Sequence, residues 1–215
     1  MISIQSTVEE IVKKDAEAYG AMKRGIMNFS QYAHQIHGLV EGVCKKEVRH
    51  GSIVIALTRL SESKKDRSMK RYAPKVVIKN ITTKLPVTEI VFEKTPQALS
   101  ILSKLFGSIK TSLEDFFVMT FSTQEITIIC SDTLVKPIKD LFKEKPKMIQ
   151  SDLAAVGLSF SEEYYKLPNI TFSLIRELAL REVVIAETVS SYTEVVFIVH
   201  QKDINTVLES FTKKF

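Results

Sequence analysis

Four residues near the start of the chain have side chains that bind metal ions: His34, His37, Cys44 and His50. His34 and His37 are spaced to share one face of a helix. A structural zinc site normally has four ligands at tighter spacing, usually including paired cysteines. The only other cysteine, Cys130, is far away in sequence. We therefore expect ordinary polar histidines and no bound metal.

The other chemically capable residues do not form a catalytic pattern. The sequence has no G-x-G-x-x-G, G-x-x-x-x-G-K-[ST], H-E-x-x-H, C-x-x-C or G-x-S-x-G motif. The acids Glu114-Asp115 and Glu162-Glu163 are sequence neighbours, so the two members of each pair point in different directions on a helix or strand. Cys130 ends a predicted buried strand, which favours an inert core thiol over a nucleophile. We expect neither an enzyme nor a cofactor.

The net charge of +5 and the sequence pI of about 9.1 come from a local basic excess. Residues 1–80 contain 15 Lys and Arg against 8 Asp and Glu, whereas residues 81–215 contain 15 against 17. Such asymmetry indicates a polyanionic partner. A solvated lysine-rich surface is an equal alternative when the charge is considered alone.

The composition is that of a globular protein. The chain has 215 residues, of which 45% are hydrophobic and 26% are charged, close to the globular average. Its two cysteines make no disulfide framework, so we expect a reducing cytoplasm. No apolar run approaches the roughly 18 residues of a membrane helix. Acidic residues also stand where a signal peptide would have its apolar core.

Residues 1–75 predict a helical module with three helices. The first is capped by Ser6 or Thr7 and stops at Gly20, the second begins after Asn28, and the third begins at Ser52. Three short helices cannot bury their apolar faces alone and must share one small core. This geometry is typical of a helix-turn-helix, whose last helix enters the major groove of DNA.

Basic and polar residues surround the third predicted helix, where phosphates and bases would be contacted. The segment 24–63 resembles a short winged-helix-like module of prokaryotic proteins, and the basic run after it stands where a winged helix has its β-hairpin. The alternative is a three-helix appendage that binds protein or simply packs. The expected DNA-binding residues are Lys45, Lys46, Arg49, Ser52, Thr58, Arg59, Lys64, Lys65, Arg67, Lys70 and Arg71.

The rest of the chain contains a repeat. The pattern after residue 86 predicts the order β-α-β-β-α, and the same order returns after residue 151. The prolines that lead the first helix of each repeat, Pro96 and Pro168, correspond, as do the caps Asp132 and Asp203. We therefore predict an α+β protein: a helical, winged-helix-like module (1–75) and two ferredoxin-like βαββαβ units (76–150 and 151–215).

The two predicted units resemble paired ACT domains, the small regulatory modules of amino-acid metabolism. The second is most similar to those of aspartokinases in its Pro-led helix at Pro168, its Ser190-Ser191 turn, and its strand leading to Asp203. The resemblance implies a regulatory protein that senses an amino acid. ACT domains that bind an amino acid usually have Gly after the helix-leading Pro, where this chain has Gln97 and Asn169. Asn adopts a positive φ more readily than Gln, so this departure argues against a ligand in the first unit and leaves the second open.

The expected ligand site lies at the start of the first helix of the second unit. A helix N-terminus offers backbone N–H groups and a favourable dipole to a carboxylate, and the Ser-Ser turn can add polar contacts. Tyr164-Tyr165, in the loop before this helix, could line the site or a dimer contact. The expected ligand-binding residues are Lys166, Pro168, Asn169, Ile170, Ser190 and Ser191.

Two functional hypotheses follow. The first is a ligand-responsive regulator in which the N-terminal module binds duplex DNA and the ACT-like pair senses an amino acid. The second is a regulatory or interaction subunit without DNA binding, built on the same pair. Both include a homodimer formed through the apolar, edge-exposing sheets.

Overall fold

The computed structural model describes residues 3–63, 76–108, 112–142 and 144–212. The chain divides into two compact units, Met1–Pro74 and Lys75–Phe215. The basic run predicted to contact DNA at Lys64, Lys65, Arg67, Lys70 and Arg71 lies outside the described residues, and the predicted wing with it. The winged-helix interpretation therefore stays a prediction.

Four α-helices make up the described part of the N-terminal unit: α1 (Ile4–Lys14), α2 (Ala16–Lys23), α3 (Phe29–Cys44) and α4 (His50–Ser63). The first predicted helix is in fact two. Asp15 has an extended backbone, and its side chain accepts a hydrogen bond from the Ala18 N–H, so it caps a new helix and ends the old one. Gly20 therefore lies inside α2 instead of ending a helix.

Two other helix starts in this unit show how local signals act. Asn28 caps α3, because its side chain accepts a hydrogen bond from the Gln31 N–H, so the helix begins at Phe29 within the segment 28–30 where its opening was predicted. The first cap of the chain is Ser3, which bonds the Ser6 N–H, in place of the predicted Ser6 or Thr7. Apolar residues of α1, α3 and α4 form one buried core, as the three-helix interpretation required; its fully buried members include Val12, Val40 and Leu57.

The second unit is an antiparallel sheet with helices. Its strands lie in the order β2-β3-β1-β4-β6-β5. The order along the chain is β-α-β-β-α twice, as the repeat predicted. The elements are β1 (Ile78–Glu93), α5 (Pro96–Ser108), β2 (Phe117–Phe121), β3 (Glu125–Ser131), α6 (Asp132–Phe142), β4 (Met148–Phe160), α7 (Ile170–Ala179), β5 (Ile185–Ser190), β6 (Glu194–His200) and α8 (Ile204–Thr212).

Two long strands join the halves of this sheet. The first part of β1 pairs with the last part of β4, with Ile81 opposite Leu158, while the last part of β1 pairs with β3. Strands β1-β3-β2 on one side and β4-β6-β5 on the other each have the same order. The long strands β1 and β4, which are the first strands of the two halves, therefore lie side by side at the centre of the sheet. The predicted boundary between residues 150 and 151 falls inside β4.

The helices of both halves cover one face of the sheet. Helices α5 and α6 pack on β1 and β3 around Phe92, Ile128 and Phe142. Helices α7 and α8 pack on β4 and β6 around Leu174 and Phe197. These contacts bury the apolar stripe of each helix, and this burial is the main stabilising term.

The opposite face of the sheet has its own apolar cluster. Leu153 and Ile198 in this cluster are fully buried. Val118 of edge strand β2 and Val189 of edge strand β5 both pack against it.

Candidate functional site

A cleft of about 430 Å³ lies where α7 begins. It is bounded by the end of β4, by a short 3-10 helix (Glu162–Lys166) and by the turn between β5 and β6. The volume lies within the range of small-molecule sites, about 300–1,000 Å³. The lining residues are Phe160, Tyr164, Tyr165, Leu167, Asn169, Ile170, Thr171, Phe172, Ser190, Ser191, Tyr192 and Val195.

Asn169 sets the backbone geometry at the base of the cleft. Its φ of 68° and ψ of 16° place it in the left-handed region, which Asn enters more readily than other residues with a Cβ. It directly precedes α7, and its carbonyl accepts hydrogen bonds from the Ser173 N–H at 3.0 Å and the Ser173 hydroxyl at 2.8 Å. The helix therefore starts sharply at this residue, and its first turn borders the cleft.

The β5–β6 turn supplies the opposite wall. Ser190 ends β5, and the Ser191 N–H donates to the Glu194 carbonyl at 2.8 Å, which closes the turn. The Phe160 N–H donates to the Thr193 carbonyl at 2.9 Å and ties this turn to the end of β4. The two serine hydroxyl groups are thus presented by a hydrogen-bonded turn on a sheet.

Aromatic side chains form the rim of the cleft. The rings of Tyr165 and Tyr192 meet edge to face with their centroids 5.1 Å apart. The Tyr192 hydroxyl donates to Glu162 Oε2 at 3.3 Å. Phe160 and Tyr164 make a second edge-to-face contact at 6.1 Å. These contacts hold the two sides of the cleft in a defined arrangement.

Four of the six residues predicted to bind a ligand line this cleft: Asn169, Ile170, Ser190 and Ser191. Lys166 and Pro168 belong to the same loop but are not among the lining residues. Tyr164 and Tyr165, which the sequence suggested as possible lining residues, do line the cleft, whereas Tyr192 and Phe172 were not predicted. The available signal was the density of aromatic residues on both sides of the predicted helix start.

The corresponding place in the first half is built differently. The hydroxyl of Thr95 accepts a hydrogen bond from the Ala98 N–H at 3.0 Å, so the start of α5 is already capped. The Lys94 ammonium donates to the Ser122 carbonyl at 3.1 Å, across the matching turn. Side chains of this half thus already bond one N–H at the start of α5 and one carbonyl of the matching turn.

The predicted DNA-binding residues in the described part of the N-terminal unit differ in exposure. Lys45, Lys46, Arg49 and Arg59 are exposed. Ser52 and Thr58 are half-buried, and the Thr58 hydroxyl donates to the Val54 carbonyl at 3.0 Å within α4. Because α4 also buries Ile53, Leu57 and Leu60 in the core of its own unit, a restricted part of this helix remains for a partner.

The histidines of this unit contact protein groups. The rings of His34 and His50 stack with their centroids 4.0 Å apart. His37 Nε2 lies 2.7 Å from the Val48 carbonyl oxygen, and His50 Nε2 lies 3.1 Å from that of Ser30. Among the described residues, no group of three or more His, Cys, Asp and Glu side chains is placed to hold a metal ion.

Cys130 lies in the core of the first half, fully buried between the sheet and its helices. Burial raises the pKa of its thiol to about 12, and the carboxylates of Asp132 and Asp115 add to the effect. The thiolate that a nucleophile requires is therefore scarce near neutral pH, as the sequence predicted for a core thiol.

In the part of the chain that the structure describes, no helix combines the length and apolar character needed to cross a membrane.

The fold is similar to solved structures of aspartate kinases. Aspartate kinase from Clostridium acetobutylicum, an allosteric enzyme, matches with a TM-score of 0.54 at 22% identity, over 64% of this chain and 35% of that chain. The regulatory subunit of aspartate kinase from Thermus thermophilus matches with a TM-score of 0.51 at 12% identity, over 64% of this chain and 98% of that chain. The regulatory subunit from Thermus flavus gives a TM-score of 0.51 at 13% identity, over 66% of this chain and 99% of that chain.

These similarities show an ACT-type α+β fold. The chain spans about a third of the length of the Clostridium enzyme but nearly the whole of each regulatory subunit. No protein-family model and no curated protein matches the chain. At these identities the likeness is one of fold alone.

Proposed function

We propose that this protein is a ligand-responsive regulator whose ACT-like pair binds an amino acid in the cleft at the start of α7. The observation that carries the proposal is the left-handed Asn169 at the base of that cleft, facing the Ser190-Ser191 turn. A backbone of this kind replaces the glycine that the ACT resemblance leads us to expect. The similarity of the fold to regulatory subunits of aspartate kinase supports a regulatory role.

The chemistry of the cleft suits the α-amino-carboxylate of such a ligand. The first N–H groups of a helix have no partner within the helix, and the helix dipole favours an anion there. The start of α7 would thus receive the carboxylate, with Asn169 and Ile170 nearest to it. The hydroxyl groups of Ser190 and Ser191 would accept from the ammonium group. Lys166 and Pro168 would act from the loop before the helix.

The test is binding of the twenty amino acids, measured by thermal shift and then by calorimetry. A ligand that binds only the folded state raises the apparent stability by mass action. Asn169→Asp places a negative charge beside the expected carboxylate, and Ser191→Ala removes a hydroxyl, so both should weaken binding. The matched controls are Gln97→Asp and Ser122→Ala at the corresponding places of the first half, where the Ser122 N–H donates to the Glu125 carbonyl as that of Ser191 does to Glu194, and they should leave binding unchanged. Unchanged affinity in both cleft variants would place the ligand elsewhere.

We also propose that the chain forms a homodimer through its sheet. The edge strands β2 and β5 each have one side without a strand partner in the described sheet, and an exposed edge is a template for pairing. A two-fold contact between identical edges is the commonest closed arrangement. Light scattering that gives the mass of a single 24.3 kDa chain at micromolar concentration would contradict this.

A second proposal concerns the N-terminal unit, which we expect to bind duplex DNA. Three exposed cations, Lys45, Lys46 and Arg49, lie in the segment that leads into α4, and Arg59 is exposed on α4 itself. Such an arrangement places phosphate contacts beside the helix that would read bases. If about five basic residues contact phosphates, the slope of log K against log salt should be about −4 to −5.

Mutations separate the two kinds of DNA contact. Replacing Lys45, Lys46 and Arg49 together by Ala should flatten the salt slope by about two to three units. Replacing Arg59 should reduce sequence preference more than general affinity. The matched control is a triple Ala variant of Lys136, Lys139 and Lys145 in the second unit.

The competing hypothesis is an interaction subunit that docks on another protein. The exposed apolar side chains of Leu39 and Val43, one turn apart on α3, favour it. It predicts no gel shift with genomic fragments at low salt. That outcome would exclude DNA as a partner and leave the amino-acid site of the second unit unaffected.

A further inference from the structure

We infer that the ligand of the cleft at α7 is an amino acid with a large, uncharged, apolar side chain, an aromatic one above all. This inference rests on the proposed function and names the ligand class of the same site.

The first observation is the absence of charge. Among the described residues, those that line the cleft carry no ionisable acid or base other than tyrosine hydroxyls. The carboxylate of Glu162, which is not a lining residue, accepts a hydrogen bond from the Tyr192 hydroxyl at the rim. The charged side chain of a lysine or aspartate ligand would lose water on entry without an ionic partner among the lining residues, since Lys166 belongs to the loop outside them, and that desolvation is unfavourable.

The second observation is a group of exposed apolar side chains around the cleft. Tyr165, Leu167, Phe172 and Tyr192 line the cleft and are between 42% and 66% exposed. Beneath them, Ile170 and Val195 are buried and give the cleft an apolar base. A cluster of exposed apolar groups marks a binding site more often than isolated ones do. Covering them with an apolar side chain would remove both surfaces from water.

The third observation is that this apolar surface surrounds a concave space. The cleft of about 430 Å³ has the start of a helix and two serines beside its aromatic rim. An apolar side chain on the ligand would lie against Tyr165, Phe172 and Tyr192, while its amino and carboxylate groups would face the polar end. The edge-to-face contact of Tyr165 with Tyr192 holds this rim in place before a ligand enters, which reduces the entropy lost on binding.

The experiment measures the affinities of phenylalanine, tyrosine, leucine, alanine, threonine, lysine and aspartate for the full chain by calorimetry. Phenylalanine should bind roughly tenfold or more tightly than alanine, because a hydrophobic pocket discriminates by at least about that factor per methylene-sized group. Lysine and aspartate should not bind measurably. Phe172→Ala and Tyr192→Ala should each weaken phenylalanine binding about tenfold or more by the same argument. Leu99→Ala, which changes an exposed apolar residue on α5, should leave it unchanged.

The outcomes separate this inference from the proposal beneath it. Tight binding of lysine, aspartate or threonine, weakened by Asn169→Asp, would overturn the apolar class and leave the amino-acid sensor in place. Failure of all twenty amino acids to bind would overturn both. If Phe172→Ala instead changed the mass of the ligand-free protein in light scattering, the rim would be a contact between copies, and the inference would also be wrong.

Discussion

Asn169 offers the sharpest test of the backbone geometry at the cleft, through the pair of substitutions Asn169→Ala and Asn169→Gly. With φ at 68° and ψ at 16°, a Cβ at this position approaches the following carbonyl and costs about 1–2 kcal/mol, a strain that Asn relieves in part through local hydrogen bonds. Glycine has no such strain, but it loses about 0.5–1 kcal/mol through the greater freedom of the unfolded chain. We therefore expect Asn169→Ala to be about 1 kcal/mol less stable than wild type and Asn169→Gly to lie close to wild type.

The control is the same pair of substitutions at Gln97, the corresponding position of the first half. Gln97 lies inside α5 and is not among the residues with positive φ. In a right-handed helix glycine is less stable than alanine by about 1 kcal/mol. The order of the two variants should therefore reverse between Asn169 and Gln97.

Urea unfolding followed by circular dichroism measures these differences. In thermal unfolding, 1 kcal/mol corresponds to a shift of about 2–4 °C for a chain of this length. Amino-acid affinity should follow the order of stability at Asn169, because this residue positions the first turn of α7 beside the ligand. If alanine were as stable as glycine at Asn169, or the order were the same at both positions, the argument from the left-handed backbone would be refuted.

Two further predictions concern stability in the second unit. Glu182 has a φ of 56° just after α7, where its N–H donates to the Ala179 carbonyl and the Val183 N–H donates to the Leu178 carbonyl. Since glycine is preferred at such a helix end, Glu182→Gly should raise the free energy of unfolding by up to about 1 kcal/mol. A loss of stability in urea unfolding would contradict this. Glu89 is only 5% exposed, and burial, with the nearby Glu187 carboxylate second, raises its pKa above the ordinary value of 4.5. The native state thus holds this proton to higher pH than the unfolded chain does, so wild-type stability falls as the pH rises from about 4.5 through the raised pKa. The stability of Glu89→Gln relative to wild type should therefore be greater at pH 7 than at pH 4. If the two proteins lost or gained stability in parallel over this pH range, the buried carboxylate would not be the cause.

The parts of the fold that the sequence predicted are those with local signals. Thr95 was recognisable as a helix cap because a cap needs only its own side chain and an N–H two or three residues later. The repeat was visible because Pro96 and Pro168 open corresponding helices, and each strand pair follows at similar spacing. Four of the six expected ligand residues meet in one cleft because a helix start and the next hairpin turn recur at the same end of such a unit.

The features that the sequence did not predict depend on which distant segments meet. The early parts of β1 and β4 were not predicted as strands, because the early part of each pairs with the late part of the other, a segment distant in sequence. The division of the first helix at Asp15 was also missed. The Asp15 side chain caps α2 locally, but it also accepts a hydrogen bond from the Tyr32 hydroxyl of α3 at 3.0 Å. This second contact joins segments that meet only when the chain folds.

The sequence by itself determined the α+β class, the repeat, the start of α5 at Thr95 and the burial of Cys130, because hydrophobic periodicity and caps act within a few residues. Only the tertiary structure decided that one sheet joins the two halves, that Asn169 turns left-handed before α7, and that Tyr165 and Tyr192 meet above the cleft. Strand partners and the walls of a cleft come from segments far apart in the chain, and the packing of the whole unit selects them.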